Sequence, residues 1–271
     1  MNIANNLFIL VFALLPILFY VYLLYSWIPK TYVSIDRGRR YFISGLMSPF
    51  LIFLIYFIFP NWSNPISNSE MTNYFFFAIV QIGILEELSK YTIFNWVSSE
   101  RISQKYDLPI ATVFYCSMTA LGFALTENIS YLINLYHEYS FNPLITQTQL
   151  NNSMLKLAFN RSISAVVMHV NCGIILGYFI SIYNEKKKRE IENTNDNLKH
   201  KPLIGNFKYV IFGIVLAALY HGIYDLNLIL PENNYKMFFT IILIGYGLII
   251  SYFIFKNLIE ESRIKRICKM N

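Results

Sequence analysis

Seven long apolar stretches alternate with short polar ones along this 271-residue chain. They run over roughly residues 7–28, 41–59, 73–96, 108–136, 155–183, 207–230 and 236–256. Each is near or beyond the ~20 residues a helix needs to cross about 30 Å of hydrocarbon. Lipid offers no partner for backbone N–H and C=O groups, so runs this continuously apolar predict helices. The expected fold class is all-α: a polytopic transmembrane helical bundle of about seven spans, forming a single integral-membrane domain over 1–271. The fourth and fifth stretches are long enough to project or tilt. The N-terminal stretch lacks a basic leader and a small-residue cleavage pattern, so it reads as a retained first span. Residues 184–206 contain NEKKKREIENTNDNLKHKP, charged and Asn-rich. They are expected to form a flexible linker.

Composition agrees with that pattern. Only 14% of residues are charged and 55% are hydrophobic, with a mean hydropathy of +0.43. Soluble domains carry about 25% charged residues. The formal charge of +6 does not point to nucleic acid, because the basic residues sit in short segments beside the apolar runs. Eighteen of the 22 lysines and arginines fall on one side of the seven expected spans, and two, Lys156 and Lys236, on the other. The last two, Lys90 and Arg161, lie within spans. The positive-inside rule then places the N-terminus outside and residues 184–206 and the C-terminus in the cytoplasm. The three cysteines form no CxxC and read as buried small hydrophobes.

Against this apolar background a few polar residues stand out. The stretch MTNYFFFAIVQIGILEELSKYTIF (71–94) carries Glu86, Glu87 and Lys90. A charge at membrane depth costs roughly 2.5–3.5 kcal/mol on insertion scales. Three within five positions call for a functional reason. Lys90 is three and four residues beyond the glutamates and can reach both. Two carboxylates sharing a low-dielectric site repel, so one is expected to hold a proton, which suits general acid–base work. Glu127 and Asn128 lie in LGFALTENISYLI, His169 in SAVVMHVNCGIILGY, and His221 and Asp225 in VLAALYHGIYDLNLI. The i, i+4 spacing of His221 and Asp225 lets the carboxylate orient the imidazole, or lets both bind one metal. On ligand type alone Glu86, Glu87, His169 and His221 could form a zinc site. Counting helix rise from the span ends puts all these groups at compatible depths, so one shared cavity is expected, bounded by spans three to six, with the carboxylates within about 10 Å of the His169 ring. Small residues support close packing there: Gly173 and Gly177 in one span, Gly213, Ala217, Ala218 and Gly222 in another.

In order, the segments GILEELSKYTIF, ALGFALTENISYLI, RSISAVVMHVNCGIILGY and LYHGIYDL resemble the four motifs of the PrsW family, a branch of the larger group that includes CAAX prenyl proteases and bacteriocin-processing enzymes. The motifs are EExxK, FxxxEN, an intramembrane His, and HxxxD. The resemblance covers residues 83 to 226 and implies a CAAX-protease-like core and a glutamic-type intramembrane protease. It makes Glu86, Glu87 and His169 the catalytic residues, with Lys90, Glu127, Asn128, His221 and Asp225 supporting them. It implies no cofactor, with zinc held by Glu86, Glu87, His169 and His221 as the alternative. It also implies a single-span membrane substrate such as an anti-sigma factor, cut on its outer side, and no nucleic-acid partner. The competing classes are a proton-coupled transporter, since Glu, His and Asp also build proton relays, and an inactive member that only binds partners.

Overall fold

The structure is a computed structural model that describes residues 3–60, 66–99, 108–142, 144–193, 206–231 and 235–270. Among the described residues all regular structure is helical. The helices are α1 (Ile3–Trp27), α2 (Ile35–Gly45), α3 (Ser48–Ile58), α4 (Glu70–Phe75), α5 (Leu85–Ser99), α6 (Pro109–Ser140), α7 (Gln147–Ile163), α8 (Ala165–Asn193), α9 (Lys208–Ile229) and α10 (Lys236–Met270). A nine-residue π-helical segment, Phe76–Ile84, joins α4 to α5. The expected all-α class and membrane-helical character therefore hold.

Local sequence sets the helix ends. Ser34 and Ser69 accept from the backbone N–H three residues on and so cap α2 and α4. Thr146 and Gln149 form a reciprocal capping box at the start of α7. Proline occupies the first turn of α6, where its missing N–H costs nothing.

Helix α6 is the axis of the molecule. Buried residues make up 94% of its most apolar stretch, against 17% for α10. Its main neighbour is the antiparallel α8, held close by Gly173 and Gly177. A Cβ on Gly173 would sit 3.0 Å from the Cys116 carbonyl oxygen, and one on Gly177 2.7 Å from Val113 Cα. The α9 helix completes the layer, and α10 lies on its outer flank through Ser251, whose hydroxyl donates to Asn171 Oδ1 at 2.7 Å.

By length and composition, five stretches suffice to cross a bilayer: Ile35–Ile58, Pro109–Tyr139, Gln147–Glu190, Lys208–Ile229 and Lys236–Ile264. Val11–Trp27 is a shorter apolar piece of the expected first span. The expected third span is the α4–π–α5 assembly. The expected fifth, 155–183, is two helices broken at Ser164. Residues 184–193, expected in the linker, continue α8. Residues 194–205 lie outside the described residues.

Candidate active site

The π segment delivers the two glutamates. Its wide turns let its backbone press against α9. A Cβ on Gly83 would lie 2.5 Å from the Ala218 carbonyl oxygen, and one on Gly222 2.8 Å from Ile79 Cα. Glycine is needed at both positions for this close approach. Glu86 and Glu87 open α5 one turn further on, beside His221.

The expected residues meet in one cluster. Lys90 Nζ donates to Glu87 Oε1 at 2.7 Å and to His169 Nδ1 at 3.0 Å, and lies 3.8 Å from Glu86 Oε2. His221 Nδ1 is 2.9 Å from Glu87 Oε1, and its Nε2 is 3.1 Å from Asp225 Oδ2 and 3.5 Å from Glu86 Oε2. His169 Nε2 is 2.6 Å from Glu127 Oε2. The two imidazoles stand edge to face with centroids 5.0 Å apart. Phe123, one turn before Glu127, places its ring 4.1 Å from Lys90 Nζ and 5.2 Å from the His169 ring. Glu87, Lys90, His169 and His221 are fully buried. Glu86, Glu127 and Asp225 keep 13%, 20% and 17% of their side chains exposed, so these three face the opening.

The hydrogen bonds constrain the protons. An ammonium can only donate, so His169 Nδ1 accepts and its Nε2–H donates to Glu127. His221 differs, because both ring nitrogens face carboxylate oxygens. A neutral imidazole has one N–H and cannot donate to both, so the cluster holds a further proton on His221 or on a facing carboxyl group.

One participant lies outside the expected set. Arg161, near the end of α7, places its guanidinium 2.9 Å from Glu127 Oε2, donates through Nε to Asn128 Oδ1 at 2.7 Å, and stacks 3.8 Å over the Tyr131 ring. Asn128 thus contacts the cluster through Arg161. Sequence offers the signal, a second cation within an apolar run, but the break at Ser164 hides which way it faces.

Charge bears on metal binding. Four carboxylates (Glu86, Glu87, Glu127, Asp225) face two fixed cations (Lys90, Arg161), which leaves a formal charge of −2 when both imidazoles are neutral. Glu86, His169 and His221 each offer a ligand atom, and these lie within 4.8 Å of one another. Two His and one Glu form a donor set of catalytic zinc. Glu86 Oε2 is buried without a hydrogen-bond partner. Donor type, residual charge and the unbonded oxygen fit a divalent cation, at the cost of one contact from each imidazole: His169 to Lys90 or Glu127, and His221 to Glu87 or Asp225. A second set, Glu87, Cys172 and His221, is equally close but includes Glu87, already tied to Lys90 and His221.

A multi-pass helical membrane protein with a buried glutamate–histidine cluster opening to one side is the class these features define. The chain matches the family model described as PrsW family intramembrane metalloprotease over residues 40–255, and it belongs to that family. It is 32% identical over 148 residues to Protease PrsW of Oceanobacillus iheyensis, covering 55% of this chain and 52% of that protein. It is 26% identical over 159 residues to Protease PrsW of Clostridioides difficile, covering 56% and 52%. The matches thus span about half the length of these curated relatives. No solved structure matches the chain.

Proposed function

We propose that this chain is an intramembrane endopeptidase, one integral-membrane protease domain, that hydrolyses a peptide bond in a membrane-anchored protein. The observation that carries the reading is the unequal setting of the paired glutamates. Glu87 is fully buried, with Oε1 held by Lys90 and His221. Glu86 keeps 13% of its side chain exposed and is held only loosely: its Oε2, buried and without a hydrogen bond among the described residues as Glu87 Oε2 also is, lies 3.5 Å from His221 Nε2 and 3.8 Å from Lys90 Nζ. Glu86 is therefore the group free to take a proton from water.

In the reaction, Glu86 removes a proton from a water whose oxygen bonds to the scissile carbonyl carbon, and the carbonyl electrons move to its oxygen. His221, held by Glu87 through Nδ1, turns its Nε2–H from Asp225 to that oxyanion. Collapse of the intermediate breaks the C–N bond as Glu86 returns its proton to the leaving amine. Lys90 holds Glu87, and Glu127 holds His169 in one tautomer. A divalent cation on Glu86, His169 and His221 would supply Lewis-acid polarisation and a more acidic water. A transmembrane helix hides its carbonyls in hydrogen bonds, so the substrate is cut where it is locally unwound or beside its span. The relatives named as proteases support peptide-bond hydrolysis, and the motif resemblance alone points to an anti-sigma factor as substrate, cut on the outer side.

The test is co-expression with candidate anti-sigma factors from the same genome, followed by immunoblot. The expected result is a cleavage product with the intact chain and none with Glu86→Gln at equal abundance. Cleavage by Glu86→Gln at the intact rate would overturn the role of Glu86. Elemental analysis of purified protein decides the metal separately: about one zinc per chain, lost in His221→Ala, assigns the ligands, and zinc-free protein that cleaves removes them.

A further inference from the structure

We propose that the crevice between α1 and α7 is a binding site for an anionic phospholipid, with its acyl chains between the helices and its phosphate on Lys156. The crevice has a volume of about 460 Å³. Phe12, Leu15 and Pro16 line it from α1, and Leu155, Ala158 and Phe159 from α7. Its wall is almost wholly apolar, and Lys156 is its one charged residue.

Two observations specify a phospholipid. The first is depth. Helix α6 has 32 residues, about 48 Å at 1.5 Å per residue, against about 30 Å of hydrocarbon. Part of it therefore stands beyond the hydrocarbon. At the end where α6 meets α7, the first ten residues of α7 read QTQLNNSMLK and the next three Leu157, Ala158 and Phe159. The switch from polar to apolar falls at Lys156, which puts the ammonium at headgroup level with the crevice opening below it. The second is charge. Neither α1 nor α7 contains an acidic residue. Lys156 is exposed and has no ion-pair or hydrogen-bond partner among the described residues. Lys236, by contrast, donates to the Leu228 and Leu230 carbonyl oxygens at 2.6 and 2.9 Å. Lys156 is free to meet an external anion, and a phosphate above two acyl chains satisfies both wall and rim.

The site is coupled to the cluster by short geometry. Arg161, which holds Glu127, lies five residues beyond Lys156 on the same helix. The Tyr20 hydroxyl of α1 donates to the Ser162 carbonyl oxygen at 3.2 Å, fixing the crevice floor next to Arg161. A lipid that sets the spacing of α1 and α7 therefore sets the position of Arg161.

The test is native mass spectrometry of full-length protein from nanodiscs of mixed phosphatidylglycerol and phosphatidylcholine. The expected result is retained phosphatidylglycerol, with Lys156→Gln lowering the preference for it over phosphatidylcholine about fivefold and Lys236→Gln leaving it unchanged. Leu155→Trp, which fills an exposed wall position without touching the packed core, is expected to remove both lipids. Retention unchanged in Lys156→Gln and Leu155→Trp overturns the proposal. Equal loss in Lys236→Gln overturns the headgroup contact. Crosslinking of a photoreactive residue at 155 to the protease substrate rather than to lipid assigns the crevice to the substrate and also overturns it.

Discussion

At the residue scale, the proposed mechanism separates groups that do chemistry from groups that hold them. Glu86→Gln keeps the shape of a side chain whose Oε2 has no hydrogen bond to lose, so cleavage is expected to vanish while abundance and thermal midpoint stay near those of the intact protein. Lys90→Met is a different change. It leaves Glu87 buried beside His221 without its cation, and stripping one partner from a buried pair costs about 3–5 kcal/mol. The expected outcome is loss of folded protein, read as lower abundance and a lower melting temperature in detergent. Full abundance of Lys90→Met would show that Glu87 has another source of charge balance. Arg161→Gln removes the positive charge from Glu127 and so loosens His169. Cleavage is expected to fall about 10- to 100-fold, the range for groups that orient a site ligand, with Arg161→Lys recovering part of it. Equal rates for the Gln and Lys variants would leave Arg161 with packing alone.

At the element scale, what the sequence made legible depended on whether helices followed an unbroken period. Glu86, Glu87, Glu127, His169, His221 and Asp225 are legible because each interrupts an apolar run, and the energetic penalty of leaving them in lipid forces them together. Two features were not legible. The π winding over 76–84 carries no proline and follows no 3.6-residue rule that apolar residues could reveal. The break at Ser164 also lacks proline or glycine. There the hydroxyl of Ser164 donates back to the Asn160 carbonyl oxygen at 2.7 Å, and Tyr224 of α9 reaches that hydroxyl at 2.9 Å. Both irregularities flank the cluster, and both are set by contacts between helices. Gly83→Val tests the first. Its side chain would meet backbone oxygen, which cannot swing aside, so the π segment must part from α9. A destabilisation of about 1–3 kcal/mol is expected, with cleavage falling further than stability alone accounts for, since Glu86 follows three residues later. Wild-type melting and cleavage in Gly83→Val would show that the close approach has no bearing on the site.

At the scale of the whole molecule, convergence decides between function classes. A proton relay needs titratable groups strung along a path, whereas Lys90, His169 and His221 tie these carboxylates into one knot on α5, α6, α8 and α9. That favours hydrolysis at a single point over transport. Charge gives an expectation for which face of the membrane the point serves. The basic residues flanking α8 and α9 (Lys186, Lys187, Lys188, Arg189 and Lys208) stand at the end opposite the α6–α7 turn, where Lys156 is the nearest lysine. By the positive-inside rule an excess of this size is expected at the cytoplasmic end. His169 lies only four residues into α8, on the side of the α6–α7 turn, so the cluster opens in the outer half of the bilayer if that turn is outside. Cysteine labelling in intact cells tests the orientation, after the native cysteines are replaced. A cysteine at position 66, before α4, is expected to react with an impermeant thiol reagent, and one at position 188, near the end of α8, to react only after permeabilisation. The opposite pattern would invert the molecule, bring the cluster nearer the cytoplasm, and exclude an outer-side cut in a membrane-anchored substrate.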